Sequence, residues 1–430
     1  MSGAERSEPL RLRESFLFTA DHKRIGRIQI VVSLLLLAIS GAAAIAIRAQ
    51  AAGGSIDHFH ALTSLDDALG GVFVVLPLWL GIATVVVPLQ IGTSRLAFPK
   101  LSAFALWLYV GGAAMTLAAY TNTPAAYAGR SVFSANPVPT SLRTAANTKG
   151  ADLLVLGMLL AAVATVLMAV NLVSTISSRR AHGLTLGRLP YFSWSVLVGG
   201  IAVALSGAVF IGGLALVWID QHFGGRFFDS TGTQVFWMHT IWLGGRPEAL
   251  LGSVFLLGAG SDIIATATGK KNELDMVTRS AIAAFATFSF VVWIDGAKDG
   301  GSILAPFANP ATALPVVAGL VVVLTWLAQL RHGVKPIPAL APLVTALSLG
   351  LVALAVGALR ASADLTLGTG WSASTLTLFA VGIPVAGAVA ALVHWAPKLI
   401  GGPVATPAAA LAGASFAGGF ALFTLAGSFL

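Results

Sequence analysis

Long apolar runs separated by short polar segments set the pattern of this chain. They lie at roughly 28–48, 66–91, 100–120, 151–176, 190–219, 236–267, 277–298, 310–330, 337–359, 373–397 and 404–428. A helix of about 20 apolar residues crosses a hydrocarbon core of about 30 Å. The pattern therefore predicts an all-α, polytopic membrane helix bundle with about 11 transmembrane helices. It is read as a single membrane domain over residues 1–430, with 1–27 a cytoplasmic N-terminal segment and 28–430 the bundle. Gly and Ala recur within the runs, as close helix–helix packing in lipid requires.

Composition narrows the class. Of 430 residues, 57% are hydrophobic and 10% charged, against about 25% charged in soluble proteins. No cysteine is present, which excludes disulfides, thiolate metal sites, iron–sulfur clusters and Cys-linked haem. The net charge of +8 does not point to nucleic acid, because the basic residues cluster in short loops. With the N-terminus in the cytoplasm, Arg6, Arg11, Arg13, Lys23, Arg24 and Arg27 lie inside. So do Arg95, Lys100, Arg179, Arg180, Arg188, Lys270, Lys271, Arg279, Arg331, Lys335 and Lys398, which brings the inner side to 17 of 25 basic residues. That asymmetry predicts a multi-pass plasma (inner) membrane protein with a cytoplasmic N-terminus. No cleavable signal peptide is expected, since no small-residue cleavage pattern follows the polar N-terminus.

One charged segment interrupts the sixth run. Ile241-Trp-Leu-Gly-Gly-Arg-Pro-Glu-Ala-Leu250 places Arg246 and Glu248 where a membrane helix carries little charge. It resembles the Trp-Phe-Phe-Gly-His-Pro-Glu-Val-Tyr signature of subunit I of the haem–copper (cytochrome c) oxidases. Ordered similarities cover nearly the whole chain. They include Phe18-Thr-Ala-Asp-His-Lys-Arg-Ile-Gly26, Pro88-Leu-Gln-Ile-Gly92, Ala97-Phe-Pro-Lys-Leu101 and Trp107. Asn171, Thr175, Arg180, Gly183, Tyr191-Phe-Ser-Trp-Ser-Val-Leu197, Phe227-Phe-Asp229, His239, Trp242, Val292-Trp293 and Trp395-Ala-Pro-Lys398 continue the series. The resemblance implies the subunit I fold; activity depends on the site.

The resemblance also implies where the cofactor ligands belong. The family uses six histidines, for two haems and one copper, since neutral imidazole suits both metals. Counting from Pro77, the helix-two haem position is Asp66; counting from Trp395, the helix-ten positions are Thr375 and Thr377. The copper positions are Arg246, Asp295 and Gly296. All six expected histidines are replaced, and the oxygen-site Tyr becomes Leu250, whereas the proton-relay Glu remains as Glu248. The acidic residue at the mouth of one proton route falls at Arg95, and the lysine of the other falls at Val322. The family continues to a twelfth helix preceded by an Arg-Arg pair, while the eleventh run here ends near 428. The resemblance thus predicts a degenerate member without haem or copper, with retention of both as the alternative.

What stands in these positions suggests its own chemistry. Arg246 and Asp295 would converge where copper sits, so a bidentate ion pair is expected there, against separate snorkelling to the interfaces. Asp66 and Asp67 would open the second helix and meet its positive dipole end; an ion entry point with Lys298 and Asp299 is the alternative. His58 and His60 are weak metal candidates, more simply solvated interfacial histidines. His22 and His332 are read as members of cytoplasmic basic loops. Space left by two haems must be closed by helix movement, filled by Trp242, Trp293, Trp371 or Phe288, or taken by a lipid or quinone.

Three functions follow. The leading one is a cofactor-free structural or assembly subunit of a respiratory-type or copper-handling complex, with membrane lipid and an oxidase subunit II-like protein as partners. The second is a divergent terminal oxidase subunit that passes electrons to O2 with proton translocation. The third is an ion or small-molecule conductor.

Overall fold

A computed structural model describes residues 19–51, 56–121, 148–223, 233–291, 305–362 and 378–427; in several stretches, among them 56–60 and 233–249, only the backbone is described. Its longer helices are α1 (His22–Ala51), α2 (Ile56–Ala68), α3 (Val75–Ile91), α4 (Pro99–Ala119), α5 (Thr148–Ser178), α6 (Tyr191–His222) and α7 (Thr233–Thr268). They continue with α8 (Asp275–Phe288), α9 (Ala305–Leu330), α10 (Leu340–Ser362), α11 (Ile383–His394), the short α12 (Ala396–Leu399) and α13 (Thr406–Gly427). A π-helical segment, Leu69–Val74, joins α2 to α3, and a second, Leu378–Gly382, leads into α11. Among the described residues there is no strand. Seven helices among the described residues are long and apolar enough to cross a membrane, and Leu340–Ala355 and Leu378–His394 are shorter apolar helices. The chain is an all-α, multi-pass membrane protein, as its hydropathy predicts.

The second span is the centre of the bundle. Within Ala61–Ile91, 94% of the most apolar stretch is buried, against 28% in His22–Ile47 and 33% in Ala313–Leu330. α1, α5, α6, α7 and α11 all pack on α3. α4 and α5 pack most extensively, and a Cβ added at Gly112 would lie 2.6 Å from the Gly157 carbonyl oxygen. Small residues here allow backbones to approach where apolar side chains alone gain little from leaving lipid.

Prolines explain several polar contacts in this apolar interior. A proline lacks an N–H and crowds the carbonyl four residues earlier. Both π segments end just before one, Pro77 and Pro384, in keeping with π-helical turns as the outlet for such strain. The Phe73 carbonyl, four residues before Pro77, accepts instead from the Tyr109 hydroxyl at 2.6 Å. With that proton committed, the Ser33 hydroxyl donates to the Tyr109 oxygen at 2.9 Å. The Thr84 carbonyl, four before Pro88, receives His22 Nδ1 at 3.1 Å, which assigns the proton to Nδ1.

Tyr109 is 2% exposed, so Tyr109→Phe leaves two buried partners unsatisfied. It should lower unfolding stability by about 1–2 kcal/mol, read as a reduced thermal midpoint in detergent. An unchanged midpoint would show that the freed carbonyl needs no side-chain donor.

One expectation changes here. The first helix begins at His22, so the backbone is already helical at residue 27, the expected boundary of the bundle. His22 is not a loop residue: it is buried, 5% exposed, and serves the Thr84 carbonyl. Its basic neighbours hide the helix start from a hydropathy reading, although the helical backbone runs through them.

Candidate functional site

Asp66 lies in the last turn of α2, ten residues after the helix begins at Ile56. It cannot meet a free helix N-terminus, which corrects the capping expectation for Asp66 and Asp67. The chain runs on helically through Ala68 into the π segment, so no helix end lies there either. The Asp66 carboxylate accepts a hydrogen bond from the Ser40 hydroxyl of α1. Two residues before it, Ser64 bonds to the Tyr120 hydroxyl at 2.8 Å, and the Asp67 charge bears on that same Tyr120.

His58 and His60 belong to the same helix α2. Helical positions two apart do not share a face, so the backbone gives no support to a common metal site. Arg246 and Glu248 both lie on α7, which passes unbroken through Pro247. Their side chains lie outside the described residues, as do Asp295, Gly296, Thr375 and Thr377.

Just inward of Asp66 the helices close on one another. A Cβ at Gly70 would meet Val381 Cγ2 at 3.4 Å, an ordinary contact, so the two π segments pass about one methyl group apart there. A Cβ at Gly252 of α7 would sit 2.9 Å from Pro384 Cβ, and one at Gly387 of α11 would sit 2.9 Å from Leu256 Cγ. The Trp79 indole donates to the Pro384 carbonyl at 3.2 Å. Its ring lies 6.0 Å from Phe192 and 6.1 Å from Phe255, and Phe192 lies 4.6 Å from Trp395. Of the side chains expected to fill this interior, Phe288 faces elsewhere. It lines an outward groove between α8 and α9. Trp242, Trp293 and Trp371 have side chains outside the described residues.

One end of the bundle holds a polar lock that hydropathy did not reveal. Asp262 of α7 accepts the Tyr191 N–H at 3.0 Å on Oδ1 and the Phe192 N–H at 3.2 Å on Oδ2. Gln90 Nε2 donates to the same Oδ2 at 2.9 Å, and the Ser193 hydroxyl donates to Gln90 Oε1 at 2.6 Å. Pro190 occupies the N-cap of α6 and supplies no side-chain oxygen. A carboxylate from another helix therefore caps the orphan N–H groups. The available signal was a lone acid at the end of an apolar run, together with the Pro88-Leu-Gln-Ile-Gly92 and Tyr191-Phe-Ser motifs that it joins.

Asp275 completes the lock at the start of α8. It accepts Arg279 Nε at 3.0 Å and the Tyr191 hydroxyl at 2.6 Å, while the Arg279 guanidinium lies 4.8 Å from the Tyr191 ring centre. Burial disfavours the Asp275 charge, but the bonds from Arg279 and Tyr191 outweigh it and hold the carboxyl below its ordinary range.

Other motif residues perform similar structural tasks. Asn171 Oδ1 accepts the Phe98 N–H at 3.0 Å, and its Nδ2 donates to the Phe98 carbonyl at 2.8 Å and to Ser102 Oγ at 2.6 Å. Thr175 Oγ1 accepts the Ala97 N–H at 2.9 Å, and Arg180 Nη1 and Nε bind the Ile176 and Leu184 carbonyls at 2.7 and 3.1 Å. Gly92 closes α3 with a φ of 75°, which suits glycine. Of the two proton-route positions, Arg95 is exposed in the following loop and Val322 is fully buried on α9.

The family described as Cytochrome C and Quinol oxidase polypeptide I matches residues 24–430. A probable cytochrome c oxidase subunit 1-alpha of Streptomyces coelicolor is 30% identical over 334 residues, 76% of this chain and 57% of the relative. A heme-copper oxidase subunit I+III of Aeropyrum pernix is 28% identical over 90% of this chain and 48% of its own length. A quinol oxidase subunit 1 of Bacillus subtilis is 26% identical over 75% of this chain and 50% of its own length. The chain thus spans about half the length of these curated relatives.

Proposed function

Because the chain belongs to the cytochrome c and quinol oxidase subunit I family, we propose that it is a cofactor-free member serving as a structural or assembly subunit of a respiratory-type membrane complex. The observation that carries this reading is the narrow interior beside Asp66. The carboxylate at the proposed helix-two haem position accepts a hydrogen bond from Ser40, and beside it the two π segments lie close enough that one added Cβ at Gly70 would already touch Val381. A carboxylate engaged in this way is a poor replacement for the neutral imidazole that low-spin haem requires, so these residues do not fit the haem.

Residue chemistry extends the reading to copper. Arg246 is a permanent cation with no lone pair to offer a metal, and Gly296 has no side chain. On this reading Arg246 pairs with Asp295 in the proposed copper position, with Glu248 nearby. The membrane domain is single, has eleven crossings, and places its N-terminus in the cytoplasm of a plasma membrane. An oxidase subunit II-like protein is its proposed partner; the subunit designations of the relatives support a multi-subunit setting.

The relatives' names favour a second reading, in which the chain is a divergent oxidase subunit. An optical spectrum and metal analysis of the purified protein separate the two. The expected result is a spectrum without stoichiometric haem absorbance, together with copper well below one per chain. Stoichiometric haem, reducible by dithionite, would overturn the cofactor-free assignment and support the oxidase.

A further inference from the structure

α8 and α9 leave a groove of about 440 Å³ on the surface of the bundle. Met276 and Phe288 mark its extent on α8, Leu314 and Val317 form part of the α9 wall, and Ser280 supplies the single hydroxyl among its lining residues. Met276 is 80% exposed and Val317 55% exposed, so this apolar surface is open on the outside of the bundle. The rise from Met276 to Phe288 is about 18 Å. That is close to one leaflet, about half of a 30 Å hydrocarbon core, and short of what a crossing partner helix would follow.

Charge gathers at one end of the groove. Lys270 and Lys271 precede α8, and Arg331 and Lys335 follow α9; all four are exposed. The two loops form one surface, since Gln329 Nε2 donates to the Lys270 carbonyl at 2.9 Å and the Lys335 N–H donates to the Ala267 carbonyl at 2.8 Å. Of the acids nearby, Glu273 has a largely exposed side chain 3.6 Å from His332, and Asp275 binds Arg279 and Tyr191. Lys271 acts electrostatically on Asp275, the residue before Met276, which brings its positive charge to the mouth of the groove.

We propose that this groove seats one acyl chain of an anionic phospholipid, with the phosphate resting on Lys270 and Lys271. The groove's length selects a lipid tail, and the adjoining basic loops select an anionic headgroup. Neither the haem positions nor the copper positions take part, so the site is independent of the cofactor-free reading.

Native mass spectrometry of the detergent-solubilised full chain, titrated with phosphatidylglycerol or phosphatidylcholine of identical tails, tests the proposal. Phosphatidylglycerol should bind more tightly. The K270Q/K271Q double variant should lose on the order of twenty-fold in affinity for it and little for phosphatidylcholine. Val317→Trp fills the groove and should weaken both lipids; Ser280→Phe fills it from the opposite wall should the first variant prove unstable. Equal affinity for the two lipids in the unaltered chain would overturn the headgroup assignment. Full phosphatidylglycerol binding by a folded, groove-filled variant would overturn the seat. So would loss of a co-purifying subunit on filling, with lipid binding unchanged.

Discussion

Replacing Asp262 with Ala should destabilise the detergent-solubilised protein by about 3 kcal/mol. The carboxylate accepts two backbone N–H groups at the start of α6 and the amide of Gln90. Tyr191 and Phe192 are buried, so water cannot readily replace the lost acceptor. An unsatisfied buried donor costs about 1–3 kcal/mol, a lost N-cap about 0.5–2 kcal/mol, and a carboxylate at a helix N-terminus adds a favourable dipole contribution. These overlap, which keeps the total nearer 3 kcal/mol than their sum.

Asp262→Asn retains one acceptor oxygen and should lose about 1 kcal/mol. Chemical denaturation measures the loss, and hydrogen exchange should quicken at residues 191–195 before the rest of α6. Arg95→Ala, in an exposed loop, is the control and should change stability by less than about 0.5 kcal/mol. If Asp262→Ala matched that control, the lock would be an incidental contact.

The second large effect tests the proposed ion pair. Arg246→Met should cost about 3–5 kcal/mol, because it strands a charge in low-dielectric surroundings. Arg246→Met combined with Asp295→Leu should recover most of that loss, since removing both charges also removes their desolvation cost. A double-mutant cycle on thermal unfolding measures the coupling. Additive losses would dispose of the pair and leave the two charges at separate interfaces. This cycle is separate from the optical test, because a cofactor-free chain need not contain this pair.

The helices were largely legible because hydrocarbon offers backbone amides no alternative partner. Apolar runs of sufficient length had to become helices, and α4 (Pro99–Ala119), α6 (Tyr191–His222) and α9 (Ala305–Leu330) follow their predicted runs closely. The π segments were not legible as such. Pro77 and Pro384 were visible, but whether proline bends, breaks or widens a helix depends on donors from neighbouring helices, here Tyr109 and Gln29 beside Pro77. The same limit applies to His22, whose partner Thr84 is 62 residues away.

The candidate site divides along a similar line. Counting from Pro77 located Asp66, but counting does not show what a carboxylate touches. Its contact with Ser40 depends on the packing of α1 against the second span. Phe288 was a reasonable filler by size, yet its rotation on α8 turns it towards the groove shared with α9. Asp262 escaped attention because one acid near the end of a span also suits an interfacial role. Its structural role emerges only when α7 lies against the start of α6.

By itself, then, the sequence determined the helical membrane class and the family, because hydropathy and ordered motifs are properties of the chain read in line. Tertiary structure decided which motif residues form locks, where proline-freed carbonyls find donors, and how closely Gly70 and Val381 approach beside Asp66. Those outcomes depend on distances between segments far apart in sequence, and a buried polar group is satisfied by the helix packed against it.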